Sequence, residues 1–187
     1  RVVGIKYGIE VSTMADIPSE GSGLGSSSTV TVGLLNALYA FKGENVSAET
    51  LAQKACEIEI GILGKPIGKQ DQYIAAYGGL RHFRFFGNDL VETSPIYMEE
   101  CTRQRLCESL LLFYTGSTRK ASDVLSEQKS NISDKMNVLV QMRDQADCLA
   151  RGLKSADLSL LGTTLHEGWM LKKQLAKGIT NSHIDEM

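Results

Sequence analysis

A glycine- and serine-rich stretch runs directly into an apolar segment at residues 20–41, EGSGLGSSSTVTVGLLNALYAF. Apolar side chains recur there at helical spacing, at Val30, Leu34, Leu38 and Phe41. This spacing predicts a buried helix from Ser27 to Phe41. The three glycines before it permit positive φ angles and a close approach of the backbone to another group. Because the first N–H groups of a helix lack partners within it, the stretch predicts either a phosphate-binding loop or a flexible turn with a serine cap.

Two familiar phosphate-binding motifs do not fit this stretch. It lacks the Gly-Lys-Ser/Thr of a P-loop, and its GxGxG spacing differs from the GxGxxG of a dinucleotide site. No acidic residue stands out about 20 positions further on as a partner for a ribose. A phosphate held here would therefore belong to another class of site.

Composition narrows the function classes further. The chain has 187 residues, is 42% hydrophobic and carries a formal charge of -2, which allows a sizeable core and predicts neither nucleic-acid nor membrane binding. The four cysteines show no CxxC spacing and no paired histidines, so neither a zinc site nor a disulfide framework is indicated. We expect a reducing, cytoplasmic setting.

Hydrophobic periodicity predicts a mixture of strands and helices. Ser47 is a candidate N-cap for a second helix, whose apolar stripe would comprise Leu51, Ala55, Ile58 and Ile62. A short helix is predicted at 73–77, and helices are predicted from Arg119 onward, with long amphipathic stretches at 132–153 and 157–176. Strands are predicted at 6–14, 80–86, 90–97 and 110–114, with the middle two joined by a turn at 87–89.

A second group of polar residues lies in the segment GKPIGKQDQYIAAYGGL, residues 64–80. Asp71 follows several glycine and proline breakers, and a carboxylate held there could deprotonate a hydroxyl nucleophile or simply cap the short helix. Glu59 and Ser27 could offer oxygen ligands to a magnesium ion. Taken alone, however, Glu57 and Glu59 are more typical of solvated helix charges.

These two motifs together resemble the GHMP small-molecule kinases. Residues 18–28 are similar to the family loop PxxxGLGSS(A/S), and GKQDQY followed by YGG is similar to the D-glycero-D-manno-heptose 7-phosphate kinases of that superfamily. The resemblance also covers YTGSTRKASDVLSEQ at 114–128 and GITNSHID near residue 180. It implies an α+β fold with a mixed, mostly antiparallel sheet backed by helices.

The resemblance also implies roles for individual residues. Asp71 would be the catalytic base, and Ser27 and Glu59 would bind Mg²⁺. Lys69 would be a substitute for the basic partner of the aspartate, and Arg119 would bind the phosphate of the sugar, although both are also typical of surface residues. The phosphates of ATP would be bound by Gly21, Ser22, Gly23, Leu24, Gly25, Ser26, Ser27 and Ser28.

The implied reaction is transfer of the γ-phosphoryl group of ATP to the anomeric hydroxyl of a sugar phosphate, for nucleotide-heptose and lipopolysaccharide or capsule synthesis. A fucose- or galactose-type sugar kinase is the alternative, as is a nucleotide- or sugar-binding regulator without turnover. A pure binder would not need Asp71, which favours an enzyme.

The family pattern is not complete in this chain. Members begin with a strand that carries a first motif and end with a third glycine-rich motif, and neither is present here. We therefore expect a fold that is incomplete at both ends, in which residues 1–100 form the central part of the ATP-binding domain and residues 101–187 begin the C-terminal domain.

Overall fold

The computed structural model describes residues 2–14, 16, 23–115 and 121–186. Two compact units divide the chain: Arg1–Gly79 with Thr118–Ser122, and Leu80–Ser117 with Asp123–Met187. The main segment of the first unit thus ends at Gly79, whereas we expected a domain boundary at residue 100. The expected division into residues 1–100 and 101–187 stays a prediction.

Three helices and a short π-helix build the first unit. The predicted helices are confirmed, and Ser47 caps the second through a hydrogen bond of 3.1 Å from Thr50 N to Ser47 Oγ. A core of Val3, Val32, Leu35, Tyr39, Leu51 and Ala55 holds these helices together. The elements are α1 (Ser26–Phe41), α2 (Ala48–Cys56), the π-helix (Glu57–Ile62) and α3 (Gln70–Tyr77).

The buried face of α1 differs from the predicted stripe. Val30 and Phe41 are exposed, whereas the buried residues are Ser28, Val32, Leu35 and Tyr39. The helix is therefore rotated relative to the prediction, and Ser28 faces the interior. This orientation matters for the site because Ser28 there meets a buried carboxylate.

The second unit contains one hairpin and five helices among its described residues. Strands β1 (Arg81–Phe85) and β2 (Val91–Pro95) pair antiparallel with Phe85 opposite Val91, which confirms the predicted strand pair. The helices are α4 (Glu100–Glu108), α5 (Ala121–Ser130), α6 (Met136–Lys154), α7 (Ser159–Lys172) and α8 (Ser182–Glu186), with a 3-10 turn at Lys177–Ile179.

Packing on α6 organises this unit. Asp147 on α6 accepts hydrogen bonds from Arg84 Nη2 at 3.0 Å and pairs with His82 Nε2 at 3.1 Å, which ties the helix to β1. Apolar clusters on the same helix centre on Val138 and on Leu153. Helix α7 packs against α6 as well.

Two predicted strands are wrong. Residues 6–14 and 110–114 form no strand, and their apolar side chains, among them Tyr7, Val11, Leu111 and Phe113, are exposed. Alternation and β-propensity favour an extended chain, but a strand also needs a neighbour with which to exchange backbone hydrogen bonds. Among the described residues only β1 and β2 pair with each other.

The fold is therefore α+β, rich in helix, with an antiparallel pair of strands in the part of the chain that the structure describes. The sheet is smaller than the mixed sheet we expected. None of the described helices has the length and apolarity needed to span a membrane.

Candidate active site

The glycine loop ends in a left-handed turn at the start of α1. Gly23 and Gly25 have φ angles of 71° and 66°, a region that favours glycine over all other residues. Gly25 is the N-cap of α1 and has no side chain with which to cap it. Gly21 and Ser22 lie outside the described residues, so the structure reports on the predicted loop from Gly23 onward.

Asp71 lies directly beside this turn. The residue is exposed in the first turn of α3, and a Cβ atom at Gly25 would be 3.3 Å from Asp71 Cγ and Oδ2. Because α1 packs against α3, the end of the glycine loop and the candidate catalytic carboxylate meet. The two motifs, which are about 45 positions apart in the sequence, are therefore adjacent in the structure.

Glu59 lies in the π-helix that continues α2, and its side chain is buried. The wider turn is closed by a hydrogen bond of 2.9 Å from Leu63 N to Ile58 O. Glu59 follows the buried Ala55 by one helical turn and is itself 0% exposed. Ile62, which we expected to be buried, is 61% exposed. The prediction of a solvated charge fits Glu57, which pairs with Lys54 at the surface, and is wrong for Glu59.

Four side chains donate hydrogen bonds to the Glu59 carboxylate. Ser27 Oγ and Lys65 Nζ each lie 2.8 Å from Oε1. Ser28 Oγ lies 2.6 Å and Gln72 Nε2 2.7 Å from Oε2. The carboxylate thereby joins the start of α1, the loop after the π-helix and α3 in one polar cluster.

These donors keep Glu59 ionised. Burial by itself raises the pKa of a carboxyl, because it removes the charge from water. At Glu59 the hydrogen bonds from Lys65, Ser28, Ser27 and Gln72 outweigh burial, and the pKa is lowered. The first unit therefore contains a fixed negative charge directly behind the first turn of α1.

The spacing of two oxygens in the cluster matches that of neighbouring magnesium ligands. Mg²⁺ takes oxygen ligands at about 2.1 Å in octahedral geometry, which puts neighbouring ligand oxygens about 2.9 Å apart. Ser27 Oγ and Glu59 Oε1 are 2.8 Å apart. The described residues contain no group of three or more His, Cys, Asp or Glu that could hold a metal alone, so phosphate oxygens and water would complete the coordination.

One acceptor in the cluster is unsatisfied. Gln72 is 0% exposed and its Oε1 is buried without a hydrogen-bond partner in the described part of the chain, although its Nε2 is bonded to Glu59. Buried polar atoms without partners are rare and are often found at functional sites.

Of the two basic residues predicted to bind substrate, the structure describes Lys69 but not Arg119. Lys69 is the N-cap residue of α3, is half-buried, and lies close enough to Cys56 for its charge to act on that thiol. Arg119 lies outside the described residues. The roles of both stay predictions.

Sequence reasoning missed Lys65 and Gln72 as members of the cluster. Lys65 contacts Ser27, which is distant in sequence, and no periodicity or spacing links the two. Their neighbours in the sequence were the available indication. Lys65 stands between Gly64 and Pro66, and Gln72 directly follows the candidate catalytic residue Asp71.

Comparison with known proteins finds one matching domain family and several similar kinases. Residues 1–79 match the model of the GHMP kinases N terminal domain. The chain is 30% identical over 177 residues to a D-glycero-alpha-D-manno-heptose 7-phosphate kinase of Campylobacter jejuni, covering 94% of this chain and 52% of that protein. It is also 30% identical over 179 residues to an L-fucokinase/L-fucose-1-P guanylyltransferase of Bacteroides fragilis, covering 91% of this chain and 18% of that protein.

A solved structure is similar as well. The crystal structure of a D-glycero-D-manno-heptose 1-phosphate kinase from Bacteroides thetaiotaomicron aligns with a TM-score of 0.68 and 32% sequence identity, over 85% of this chain and 46% of that one. The chain thus spans about half the length of the heptose kinases that it matches. Residues 1–79, which contain the glycine loop, Glu59 and Asp71, thus match a GHMP kinase N-terminal domain.

Proposed function

We propose that this chain is part of an ATP-dependent sugar kinase that phosphorylates the anomeric hydroxyl of a sugar phosphate, with D-glycero-D-manno-heptose 7-phosphate as acceptor and the 1,7-bisphosphate as product. The observation that carries the proposal is the contact between Asp71 and Gly25. A carboxylate beside the start of a helix does not help to bind phosphate, because the carboxylate and the phosphate are both negative. It can, however, accept a proton from a nucleophile.

The start of α1 would bind the phosphates. Its first-turn N–H groups carry partial positive charge, and the left-handed Gly23 and Gly25 allow a phosphate to approach the backbone. This arrangement needs no basic surface, which agrees with the formal charge of -2.

Asp71 would act as general base. Its carboxylate would accept the proton of the acceptor hydroxyl while the hydroxyl oxygen bonds to the γ-phosphorus and the bond from that phosphorus to the bridging oxygen of ADP breaks. Ser27 and Glu59 would hold Mg²⁺, which when bound neutralises charge on the transferred group. The remaining contribution of the chain is orientation of the two reactants.

The named relatives support a sugar acceptor. Two of the similar proteins are named heptose phosphate kinases, and both the Bacteroides fragilis enzyme and a bifunctional fucokinase of Arabidopsis thaliana are named for fucose. We therefore place a heptose phosphate first and a fucose-type sugar second, and the heptose product would enter nucleotide-heptose synthesis.

The test is ADP release by the full protein with ATP, Mg²⁺ and a panel of acceptors: heptose 7-phosphate, heptose 1-phosphate, L-fucose, D-galactose and mevalonate. We expect the highest kcat/KM for heptose 7-phosphate. A preference for L-fucose would move the assignment to a fucose-type kinase. Binding of ATP without turnover of any acceptor would support a regulator and contradict the kinase proposal.

A further inference from the structure

Lys65 contacts one oxygen of Glu59 and one of Ser27. Its Nζ is 2.8 Å from Glu59 Oε1 and 2.7 Å from Ser27 Oγ, and those two oxygens are 2.8 Å from each other. The ammonium group therefore contacts both oxygens that we propose as metal ligands. A magnesium ion bonded to both oxygens would compete with the ammonium group for them.

The carboxylate has no free acceptor position. An ionised carboxylate offers about four lone-pair sites, and four donors use them: Ser27 and Lys65 at Oε1, Ser28 and Gln72 at Oε2. The side chain of Glu59 is 0% exposed with these donors in place. A metal ion can bond to Glu59 only if one of the four donors leaves.

Lys65 can leave the carboxylate with less disturbance of the packing than the buried donors Ser28 and Gln72. Ser28 and Gln72 are buried on α1 and α3. The Lys65 side chain is 37% exposed and extends from a loop that follows Gly64, whose φ angle is 63°. The backbone of Lys65 is anchored by a hydrogen bond of 3.0 Å from its N–H to Glu59 O. The flexible side chain can therefore swing into solvent while the loop stays in place.

We propose that Lys65 is a tethered counter-ion of the metal site, which neutralises Glu59 when no metal is bound and gives up its place between Ser27 and Glu59 to a divalent cation. The assignment of Ser27 and Glu59 as metal ligands rests on the proposed function. The exchange explains how a fully buried carboxylate is tolerated in the empty protein, because an uncompensated buried charge is costly. Because the metal must displace Lys65, the exchange also makes the binding of metal alone weak. The phosphates of the nucleotide would then be needed to favour metal binding.

The test is the affinity of the full protein for Mn²⁺ alone, measured by electron paramagnetic resonance without nucleotide. Lys65→Met removes the competing charge and keeps much of the side-chain volume, and we expect it to bind Mn²⁺ roughly tenfold or more tightly than the wild type, the effect of one charged hydrogen bond. Lys65→Arg, which keeps the charge, should stay close to the wild type. An affinity in Lys65→Met equal to or weaker than that of the wild type would overturn the proposal.

A second measurement covers the case in which Lys65→Met folds poorly. The unfolding midpoint of Lys65→Gln, which keeps hydrogen-bond donors without charge, is followed as MnCl₂ is added. We expect a larger rise than in the wild type and none when Glu59→Gln is added to the variant. A rise no larger than that of the wild type would make Lys65 a permanent structural partner of Glu59 and contradict the exchange.

These measurements separate the proposal from the kinase assignment. Neither uses nucleotide, acceptor or turnover, so an inactive protein could still show the exchange. Conversely, Lys65→Met could bind ATP more weakly than the wild type in the presence of EDTA while its Mn²⁺ affinity is unchanged. That result would mean that Lys65 binds the phosphates of ATP. It would overturn the exchange and leave the kinase proposal in place.

Discussion

The carboxylate of Asp71 packs against Gly25, so that a Cβ atom at Gly25 would be only 3.3 Å from Asp71 Cγ and Oδ2. The contact joins the first turn of α3 to the N-cap of α1. Gly25 is therefore constrained twice, by its φ angle of 66° and by the space that Asp71 occupies. The proposed base and the proposed phosphate site are thereby held at a fixed separation.

Asp71→Asn should lower kcat by about two or more orders of magnitude, the range expected when a general base is lost. ATP affinity should change little, because Asn has nearly the same shape and still packs on Gly25. Steady-state kinetics and equilibrium ATP binding measure the two effects. Glu57→Gln, at an exposed carboxylate of the same unit, is the control and should leave kcat unchanged. A variant of Asp71 with most of its rate would mean that another group takes the proton.

Gly25→Ala should reduce turnover more than Gly23→Ala. Both glycines have positive φ, so alanine at either position adds backbone strain of about 1–2 kcal/mol. Only at Gly25 does the new methyl group also meet Asp71, since a Cβ at Gly23 would have no atom of the described residues within 4 Å. The comparison therefore isolates displacement of the carboxylate from strain. Equal kcat values in the two variants would argue against a positional role for this contact.

Glu59→Ala should destabilise the protein by about 3–5 kcal/mol, the usual cost of removing one partner of a buried ion pair. The loss also leaves the buried donors on Ser28 and Gln72 without their acceptor. Glu57→Ala removes a surface pair with Lys54 and should change the free energy of unfolding far less, because water and salt screen exposed pairs. Urea unfolding of both variants provides the comparison. Similar losses in the two variants would show that Glu59 contributes no more than a solvated charge.

Cys56 should be the slowest of the four cysteines to react with a thiol reagent. Burial raises the pKa of the Cys56 thiol to about 11, and the nearby charge of Lys69 opposes this only in part. The other three cysteines are exposed. At pH 8 we expect three thiols to react rapidly with a disulfide reagent and the fourth only after unfolding. The Cys56→Ala variant should retain all three rapid phases.

The same shift makes stability depend on pH in the alkaline range. Well below pH 9 the Cys56 thiol is protonated in both folded and unfolded chains, so it adds no pH dependence. Between pH 9 and about 11 the thiol is ionised in the unfolded chain and largely protonated in the folded one. Ionisation therefore stabilises the unfolded state, and the free energy of unfolding falls as the pH rises. The wild type should then lose stability relative to Cys56→Ala by about 1.4 kcal/mol per pH unit. A constant difference between pH 8 and 10.5 would contradict the burial of this thiol.

The sequence determined the local elements of this protein. Helical spacing after the glycine loop, the cap at Ser47 and the turn at 87–89 predict α1, α2 and the β1–β2 hairpin, and all are observed. The left-handed Gly23 and Gly25 are also as expected. These features depend on interactions between residues a few positions apart, and such interactions leave a pattern in the sequence.

Tertiary structure decided the rest. Residues 6–14 and 110–114 have strand patterns but form no strand, because a ladder needs a neighbouring segment that local sequence does not specify. Glu59 has the sequence context of a surface charge, yet its side chain is buried and the charge of Lys65 balances it. The charge of a buried carboxylate is tolerated only where donors from several elements converge, and that convergence is a property of packing rather than of any one segment.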